Sequence, residues 1–569
     1  MTEGDEAGSA TAMSRAGTSG ESAAPAIDVL IVGGGLTGLS AAVFLGGQGI
    51  SATVLEEHPG TLIHPRARSL NPRTAELLRQ AGMEAAVLAA GTYVAEMPAV
   101  YMLRVDTLAG QELHRTEQRP PDSADGGEVS PCGWGMIDQD RLEQLLRERA
   151  SELGADVRFG TRLTGVAQDS DGVTATVEDV ATGQHRALRA RYLIGADGSR
   201  SAVRRALGVP FSGPGPLSHV LSMVFEADLT GPLRGRHDPD AGTFIASCHC
   251  AQPADGTVLF PYGNGHRWVL NTPYRPDRDE SPESIGEAGC VARIRAAIGV
   301  PDLRVRLLPQ LGDGTRVLGY EIAAAVADRF RAGRVFLAGD AAHVMPPTGA
   351  FGAGTGIQDA HNLAWKLAAV LSGSAGPALL DSYEAERLPV ARLTVGQALL
   401  HMRNRTGADV PVPAGTEPLD YDAVVFGYRY RSQVICSAEP TGTDPGTALL
   451  PRQLRGQPGS RAPHLETGAP AGGSVLDCYG PRHVLVAGPD AVGWHAAGRQ
   501  VLGDPDVRRV GGDLAVDPDR WARLHQITAS GALVIRPDGF VAWRAERDEP
   551  ADQAAAALRG VLSRLLCAR

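Results

Sequence analysis

Apolar residues along the chain fall into short continuous runs, each followed by glycines or by a helical periodicity. The first run covers residues 27–32 and leads into three glycines, after which apolar positions recur with helical spacing to about Leu45. A second run covers residues 51–55. Because short apolar runs bounded by turn signals are typical of buried strands, this order predicts a βαβ unit. Helical periodicity returns over 357–372 and 379–401, where we expect two long helices.

The pattern changes between and after these regions. Residues 206–325 contain short apolar runs broken by glycine and proline, such as GTVLFPYGNGHRWVL, and we expect a mostly antiparallel sheet there. Residues 405–450 are punctuated by proline and glycine and are predicted to form a linker. From 451 to 569 the chain has alternating strands of its own, in RHVLVAG and GALVIRPDGFVAWR, and a final helical segment. A stretch of that length predicts a separate domain.

Composition and charge narrow the class of protein. The 569-residue chain is long enough for two or three domains, and its net charge of −11 argues against nucleic acid or an anionic membrane as the main partner. Lys366 is the only lysine, which excludes P-loop or Schiff-base chemistry at any other lysine. No apolar run is long enough to span a membrane. Residues 1–26 lack the apolar core of a signal peptide, so we expect a disordered tail and a cytoplasmic protein.

The cysteines indicate neither a disulfide framework nor a metal site. Seven cysteines are scattered along the chain, and their number is odd. Cys248-His249-Cys250 is spaced more tightly than a zinc pattern, has no second pair after it, and lies in a segment with the pattern of a strand. We therefore predict no metal ligand.

The turn after the first apolar run carries a nucleotide-binding motif. The hexapeptide GGGLTG, residues 33–38, matches G-x-G-x-x-G between a predicted strand and a predicted helix. In such a motif Gly33 permits the tight turn, Gly35 lets the backbone approach a pyrophosphate, and Gly38 lets helix and strand pack closely. Glu56 follows Gly38 by eighteen residues, at the end of the next strand, where it can bind a ribose hydroxyl. These features predict a dinucleotide site; a glycine-rich turn of an ordinary α/β domain is the alternative.

A second glycine-rich segment distinguishes between NAD and FAD. Five glycines lie from Gly339 to Gly356, after an apolar run and next to Asp340. A carboxylate at a strand end can bind hydroxyls of a ribityl chain. The helix predicted from about Ile357 would present backbone amides to negative charge on a reduced flavin. The segment therefore favours FAD, and its glycines are predicted to leave room for a flat ring.

Two stretches then show a family resemblance. GDAAHVMPPTGAFGAGTGIQDAHNLAWKLA, residues 339–368, resembles the second FAD motif of the class A FAD-dependent aromatic hydroxylases, the single-component enzymes of the para-hydroxybenzoate hydroxylase type. YLIGADGSRSAVRRALG, residues 192–208, resembles their third motif, in which Asp197-Gly198 lies near the flavin and the nicotinamide path. The segments GALVIRPDGFVAWR, FGYRYRSQVI and GSRAPH are similar to the subgroup that hydroxylates aromatic polyketides.

The resemblance implies an α/β fold with three domains. A FAD-binding Rossmann-like domain of the glutathione reductase type would be formed by 27–205 and 326–404, the second part including the long helix. An antiparallel-sheet domain, 206–325, would bind the substrate. After the linker at 405–450, residues 451–569 would form a C-terminal thioredoxin-like domain. That domain has no C-x-x-C, so we expect it to act in packing or at an interface.

The resemblance also implies a set of site residues. Arg66 would lie near the ribityl and phosphate region, Gln139 would contact the cofactor, and the backbone at Leu163 would lie by the adenine. The full expected cofactor set is Gly33, Gly35, Leu36, Thr37, Gly38, Glu56, Glu57, Arg66, Gln139, Leu163, Asp197, Gly198, Asp340, Pro347, Gly349, Gly352, Ala353 and Gly354. The expected substrate contacts, each with sheet core as the alternative, are Met223, Phe225, Phe260, Tyr262 and Trp268, with Pro347 between substrate and flavin. No side chain is identified as a proton-transfer catalyst, and His343 is interpreted as structural.

Two positions depart from the family pattern. Glu56-Glu57 stands where the family commonly has Glu-Arg, so a basic cofactor contact is missing there. Gly354 replaces the usual Asn of the second motif, which removes a side-chain contact but keeps the amides of Ala353 and Gly354. The chain has no second G-x-G-x-x-G, so we expect reduced nicotinamide to bind transiently, without a Rossmann fold of its own.

The implied reaction uses FAD, NADPH and O₂. NADPH reduces FAD, O₂ adds to the reduced flavin to give a C4a-hydroperoxide, and its distal oxygen goes to an electron-rich aromatic carbon. The expected substrate is a polycyclic phenolic or quinonoid polyketide of antibiotic biosynthesis, and a homodimer is expected from the family. Three alternatives stay open: Baeyer–Villiger-type oxygen insertion on a similar scaffold, hydroxylative inactivation of an antibiotic, and a flavin-binding module without turnover.

Overall fold

The structure is a computed structural model that describes residues 27–63, 66–91, 99–117, 129–238, 243–263, 267–407, 409–437, 448–468 and 473–568. The tail predicted at 1–26 lies outside these ranges. The strands, in chain order, are β1 (Ile27–Val32), β2 (Ala52–Leu55), β3 (Ala99–Val105), β4 (Glu112–Glu117), β5 (Asp156–Arg158), β6 (Thr161–Gln168), β7 (Val173–Asp179), β8 (His185–Gly195), β9 (Phe211–Glu226), β10 (Thr243–Cys250), β11 (Thr257–Tyr262), β12 (Arg267–Tyr274), β13 (Arg306–Leu307), β14 (Val317–Ala327), β15 (Arg331–Ala332), β16 (Val335–Leu337), β17 (His343–Val344), β18 (Val484–Ala487), β19 (Val507–Arg509), β20 (Ala532–Ile535) and β21 (Val541–Ala545).

The helices between these strands include both long helices that the periodicity predicts. In chain order they are α1 (Leu36–Gly47), α2 (Pro72–Gln80), α3 (Glu84–Ala90), α4 (Gln139–Glu152), α5 (Ala202–Ala206), α6 (Thr230–Leu233), α7 (Pro282–Ile298), α8 (Gly352–Leu371), α9 (Asp381–Thr406), α10 (Tyr421–Phe426), α11 (Val492–Val501), α12 (Pro518–His525) and α13 (Ala551–Leu565). Within the ranges described, no helix has both the length and the apolar character needed to cross a lipid bilayer.

The first sheet brings the ends of three parallel strands to one edge. Its order is β15-β16-β8-β1-β2-β5, with β6 and β7 attached through β8. β1 is parallel to both β2 and β8, and Val32 is in register with Leu55 on one side and with Gly195 on the other. β16 is also parallel to β8, with Leu337 opposite Gly195. In open α/β sheets the ligand crevice lies at the carboxyl ends of the strands, so this edge is where a cofactor is expected.

The second sheet confirms the predicted mostly antiparallel domain and extends it. Its nine strands run in the order β17-β14-β9-β12-β11-β10-β3-β4, with β13 on β9. β3 and β4 come from the segment assigned by sequence to the first domain, and β3 pairs with β10 in parallel. This excursion was not predicted, because the pairing joins residues more than 130 positions apart. One face of the sheet packs against α7 and forms a separate apolar core.

The third sheet confirms the thioredoxin-like C-terminal domain. Its order is β19-β18-β20-β21, with β18 parallel to β19 and antiparallel to β20. α11 and α13 pack together on one side through an apolar cluster that contains Trp494 and Leu558. The predicted linker reaches this domain through a described stretch, 409–437, whose Tyr428 and Tyr430 are buried against Phe540.

Candidate functional site

The turn between β1 and α1 is shaped for close approach of a phosphate. Gly33 has a φ of +106°, and a Cβ on it would lie 2.2 Å from the carbonyl oxygen of Ala196. A Cβ on Gly38 would lie 1.9 Å from the carbonyl oxygen of Gly33. A Cβ on Gly35 would meet nothing nearer than 3.7 Å, so this part of the turn is open. No side chain caps the amino end of α1 at Leu36 and Thr37, which leaves its amides available to an anion.

Glu56 lies directly against this turn. Its Oε2 accepts a hydrogen bond from the Gly34 amide at 2.7 Å, and its Oε1 accepts one from the His58 amide at 2.9 Å. Burial alone would raise the pKa of Glu56, but the hydrogen bonds from His58 and Gly34 outweigh it and lower the pKa. Glu56 is therefore held as a carboxylate at the end of β2. Glu57 points away into an exposed ion pair with Arg162.

Asp197 and Gly198 follow β8 at the same edge. Ala196 contacts the Gly33 turn, and Gly198 has a φ of +76°. The Asp197 carboxylate accepts hydrogen bonds from the Ser201 hydroxyl at 2.6 Å and from the Val203 amide at 3.0 Å. Its position thus stabilises the start of α5. Burial raises the pKa of Asp197, although these hydrogen bonds act in the opposite direction.

Asp340 lies in a turn just after β16, at the third strand end of this edge. Its carboxylate is open to solvent, although protein atoms surround it on most sides. Desolvation raises the pKa of Asp340, and the charges of His343 and Arg66 oppose that rise. A solvent-open carboxylate at a strand end is able to accept hydrogen bonds from ligand hydroxyls.

A buried network behind the turn fixes the position of Asp340. Asp359 of α8 accepts a hydrogen bond from the Gly339 amide at 3.1 Å and lies 2.7 Å from Nε2 of His343. Arg387 of α9 donates to Asp359 at 2.7 Å and to the carbonyl of Thr355 at 3.2 Å. The contact with Asp359 agrees with the interpretation of His343 as a structural residue. The sequence analysis missed Asp359 and Arg387, whose signal was an acidic and a basic residue inside two otherwise apolar helical faces.

The segment after β17 contains exposed residues and strained backbone. Pro347 is exposed, Gly349 has a φ of +94°, and Ala350 also has a positive φ, of +54°, which is uncommon for a residue with a Cβ. α8 then begins at Gly352 and Ala353 without a side-chain cap. The amino end of α8, whose amides no side chain caps, therefore follows directly on the exposed segment that carries Pro347.

Three glycines between residues 339 and 356 make room for protein atoms rather than for a ligand. A Cβ on Gly354 would lie 2.7 Å from Nδ2 of Asn71, the residue that caps α2. Cβ atoms on Gly339 and Gly356 would lie 2.3 and 2.5 Å from the Thr37 hydroxyl. The prediction that the glycines from 349 to 356 leave room for a flat ring is thus corrected for Gly354 and Gly356. Thr37 of the first glycine motif therefore packs against Gly339 and Gly356, two glycines of the second motif.

The remaining cofactor candidates lie at the start of α4, in β6 and in the segment before α2. Gln139 accepts a hydrogen bond from the Ala67 amide at 3.1 Å and donates to Glu143 at 2.9 Å. Glu143, which the sequence analysis missed, is the side chain nearest to the open space over Gly35. Arg66 is exposed one position before Ala67, and Leu163 lies in β6 beside a bulge.

The predicted substrate contacts lie on two different faces of the second sheet. Met223, Phe225 and Trp268 point into the core formed with α7 and are at most 2% exposed. Their assignment as substrate contacts is therefore corrected: they are sheet core. Phe260 and Tyr262 belong to a cluster on the other face. The Tyr262 hydroxyl donates to Asp140 of α4 at 2.9 Å, so this face meets the first domain.

A layer of aromatic rings lies beside the start of α8. Phe351, directly before α8, stacks on Tyr421 with ring centroids 5.4 Å apart and makes an edge contact with His401 at 5.8 Å. Trp134 lies 5.4 Å from Tyr421. The Trp134 indole nitrogen and the Tyr421 hydroxyl are buried and have no hydrogen-bond partner among the described residues. This layer was not predicted from the sequence.

The edge as a whole fits FAD. It offers a glycine turn with open backbone at Gly35, a carboxylate at Glu56 beside it, a second carboxylate at Asp340, and two uncapped helix ends. A dinucleotide of this type carries a pyrophosphate, two polyol groups and a ring that becomes anionic when reduced. Each of these groups has a chemically matching partner along the edge.

Two family models match the chain in order. The first, described as an FAD binding domain, matches residues 26–398. The second, described as the C-terminal part of an aromatic-ring hydroxylase, matches residues 455–567. Together they cover the three strand ends of the cofactor edge and the thioredoxin-like domain.

Relatives of the whole chain agree with these matches. A putative polyketide hydroxylase of Streptomyces halstedii is 40% identical over 562 residues, covering 95% of this chain and 97% of the relative. A tetracenomycin A2 monooxygenase-dioxygenase of Streptomyces glaucescens is 41% identical over 569 residues, with coverage of 95% and 97%. The crystal structure of an aklavinone-11 hydroxylase in a ternary complex with FAD and aklavinone matches with a TM-score of 0.84 at 36% identity, covering 95% of this chain and 99% of that one.

Proposed function

The chain belongs to the FAD-dependent aromatic-ring hydroxylases, and from that premise we propose that it hydroxylates a polycyclic aromatic polyketide in antibiotic biosynthesis, with NADPH and O₂ as co-substrates. The observation that carries the proposal is the convergence of three strand ends, after β1, β8 and β16, on one cleft closed by the second sheet. Relatives with substrates of this class cover nearly the whole chain.

The proposed cofactor contacts follow from the geometry of the edge. Gly33, Gly35 and the amino end of α1 hold the pyrophosphate, and Glu56 binds the adenosine ribose. Asp340 binds the ribityl chain. The amino end of α8 stabilises negative charge on the pyrimidine part of the ring. Bound FAD supplies hydride acceptance and oxygen activation, while the protein orients the substrate and keeps water out.

The substrate lies, in this proposal, between the segment carrying Pro347 and the face of the second sheet that carries Phe260. Phe351 and Tyr421 close the far end of that space as stacked rings. Phe260 is half-buried on that face of the sheet, so its ring can lie against a flat polycyclic ligand. The homodimer and the cytoplasmic location remain predictions from the sequence analysis.

Turnover tests the proposal directly. Aerobic NADPH oxidation by the purified holoenzyme is measured with and without a panel of polycyclic phenols, and product mass is read in the same samples. We expect one compound or more to accelerate oxidation and to gain one oxygen atom. The product's structure then separates hydroxylation from Baeyer–Villiger insertion. Acceleration with hydrogen peroxide as the sole product, or no acceleration by any compound, would contradict the proposal.

A matched pair of glycine variants tests the cofactor contacts. Gly38→Ala places a methyl group against the Gly33 carbonyl, so we expect a protein that purifies without bound FAD. Gly47→Ala lies on the same helix with open space around it and is expected to purify yellow, like the parent chain. FAD content is read from the visible absorbance per chain. A fully loaded Gly38→Ala variant would show that the pyrophosphate binds elsewhere.

A further inference from the structure

The carboxyl group of Glu143 lies beside the turn at which the pyrophosphate of FAD is proposed to bind. Glu143 belongs to α4, and its side chain is buried. Its Oε1 lies 3.7 Å from the place where a Cβ on Gly35 would stand. In a dinucleotide-binding turn, this second glycine is the one whose backbone approaches the pyrophosphate. An acidic oxygen therefore faces the space that a phosphate group is expected to occupy.

Hydrogen bonds hold the Glu143 carboxyl in this position from two sides. The Leu62 amide donates to Oε2 at 3.0 Å, and Nε2 of Gln139 donates to Oε1 at 2.9 Å. The Gln139 side chain is fixed in turn, because its oxygen accepts a hydrogen bond from the Ala67 amide at 3.1 Å. Glu143 therefore joins α4 to the segment before α2, and its carboxyl cannot turn away from Gly35 without losing these hydrogen bonds.

Burial and a second carboxyl act together on the charge of Glu143. Burial is the largest effect and raises the pKa of Glu143, and the charge of Glu56, at the end of β2, acts in the same direction. The hydrogen bonds from Gln139 and Leu62, followed by the charge of Arg66, act in the opposite direction. The amino end of α1 also favours the carboxylate, whereas a pyrophosphate bound there is negatively charged and disfavours it. The neutral acid is therefore more favourable with the cofactor bound than without it.

We propose that Glu143 is protonated when FAD is bound and that its Oε1 hydroxyl donates a hydrogen bond to an oxygen of the pyrophosphate. This role rests on the proposed function, which puts the pyrophosphate at Gly35. A hydroxyl at Oε1 donates to the phosphate and still accepts from Gln139, so the existing hydrogen bond is kept. Because the pKa of Glu143 is then higher with FAD bound than without it, binding takes up a proton, and the affinity for FAD falls as the pH rises.

Substitutions separate the Glu143 carboxyl from other groups that titrate nearby. Glu143→Gln keeps the shape of the side chain but cannot ionise. Glu148→Gln changes an exposed glutamate of the same helix and is the matched control. His58→Gln removes an exposed imidazole that pairs with Glu56 and titrates in the same range of pH. The thermal midpoint establishes that each variant is folded.

The dissociation constant of FAD is measured on the full chain, from the change in flavin fluorescence on binding, at a series of pH values. For the parent chain and for Glu148→Gln, we expect the constant to rise about tenfold from about pH 6 to about pH 9. Glu143→Gln is expected to reduce that rise to less than about twofold, and His58→Gln to keep most of it. The rise with pH is compared rather than the absolute constant, because Glu143→Gln also loses the hydrogen bond from Gln139.

A dissociation constant that does not rise with pH in the parent chain would overturn the proposal, as would equal rises in the parent and in Glu143→Gln. Loss of the rise in His58→Gln would also overturn it, because the proton would then belong to His58; this arm remains decisive if Glu143→Gln does not fold. Because the readout is binding, a protein that oxygenates no aromatic still tests Glu143. A Gly38→Ala variant that retains FAD contradicts the pyrophosphate position, whereas equal rises contradict only the proton on Glu143.

Discussion

Helices α8 and α9 border two regions that differ in whether their buried polar groups have hydrogen-bond partners. Toward the thioredoxin-like domain, Glu386 accepts hydrogen bonds from Lys366 at 2.7 Å, from Asn362 at 2.8 Å and from Arg536 at 2.6 Å. Asp538 pairs with the same Arg536. All five side chains are buried, and each has a partner. This interface network is complete without any ligand.

The cleft at the other end of the same helices is incomplete. His249, Asn271, Trp134 and Tyr421 each place a buried polar atom there without a hydrogen-bond partner among the described residues. A buried polar group without a partner costs free energy, which a ligand or a water recovers by supplying the missing hydrogen bond. The difference teaches that burial alone does not identify function. Charged side chains of the interface network are paired, whereas these four side chains leave buried polar atoms for a ligand or a water. Isolated unpaired atoms also occur in the described part of the scaffold, at Nε of Arg73, Nδ1 of His343 and Nε2 of His483.

The interface also explains what the C-terminal domain contributes without a C-x-x-C. A second buried group joins α2 to this domain, where Arg461 pairs with Glu76, and Arg73 pairs with Glu76 and donates to the carbonyl of Asp538. α2 in turn packs on Gly354 through its cap, Asn71. The C-terminal domain thus supports the segment that faces the cofactor.

Breaking the interface network should have the largest effect. Arg536→Met leaves Glu386 and Asp538 buried with less compensating charge, and we expect the free energy of unfolding to fall by about 3–5 kcal/mol. Arg499→Met is the control, because its ion pair with Asp504 lies in the same domain but is exposed. That change should have little effect on stability, because solvent screens an exposed ion pair. Urea unfolding measures both, and similar losses for the two variants would contradict the assignment of the network to the scaffold.

Acidification should weaken the same interface by a smaller amount. His483 packs edge-on against Trp365 of α8, and burial lowers its pKa to about 4. Between pH 6.5 and about 4, the unfolded chain binds a proton here that the folded chain does not, so stability is lost as the pH falls through that window.

The size of that effect is set by the pKa difference. From pH 7 to pH 5 we expect His483 to account for about 2 kcal/mol of lost stability. In His483→Gln the urea midpoint should therefore depend less on pH over this range. The same substitution at exposed His185 controls for the loss of an imidazole from the chain. An identical pH dependence in His483→Gln and the parent chain would count against a neutral buried histidine.

A pair of tyrosine variants tests the same comparison, with the smallest expected changes in stability. The Tyr383 hydroxyl donates to the carbonyl of Leu337 at 2.7 Å, so Tyr383→Phe should cost about 1 kcal/mol of stability. The Tyr421 hydroxyl has no partner in the described part of the chain, so Tyr421→Phe should be neutral or slightly stabilising. Unfolding of the ligand-free protein checks both. A cost at Tyr421 equal to that at Tyr383 would mean that the cleft hydroxyl is already satisfied.

The sequence predicted the elements with strong local patterns. β1 was predicted at 27–32 and spans Ile27–Val32, and the three strand ends of the cofactor edge follow from motifs that each lie within one segment. α8 was predicted from 357 and begins at Gly352. Glycines are weak helix formers, so the early turn is formed because Gly354 and Gly356 pack closely on α2 and α1.

The faces of the second sheet and the interface network could not be predicted in the same way. Its central strands are apolar on both faces, with Met223 on one and Val224 on the other, so alternation does not say which face meets the cleft. Glu386 and Arg536 of the interface network are 150 residues apart in the chain. No local spacing relates them, and their meeting follows only from the packing of the C-terminal domain on α8 and α9.

Lys366, the one lysine of the chain, also determines how the folded protein responds to labelling reagents. Its amine is fully buried, so an amine-directed ester reaches no lysine on the surface of the folded molecule. Unfolding exposes one such amine per chain. The number of lysine labels per molecule therefore counts unfolded chains, and the rate at which that label appears under native conditions measures how often the interface between α8 and the C-terminal domain opens.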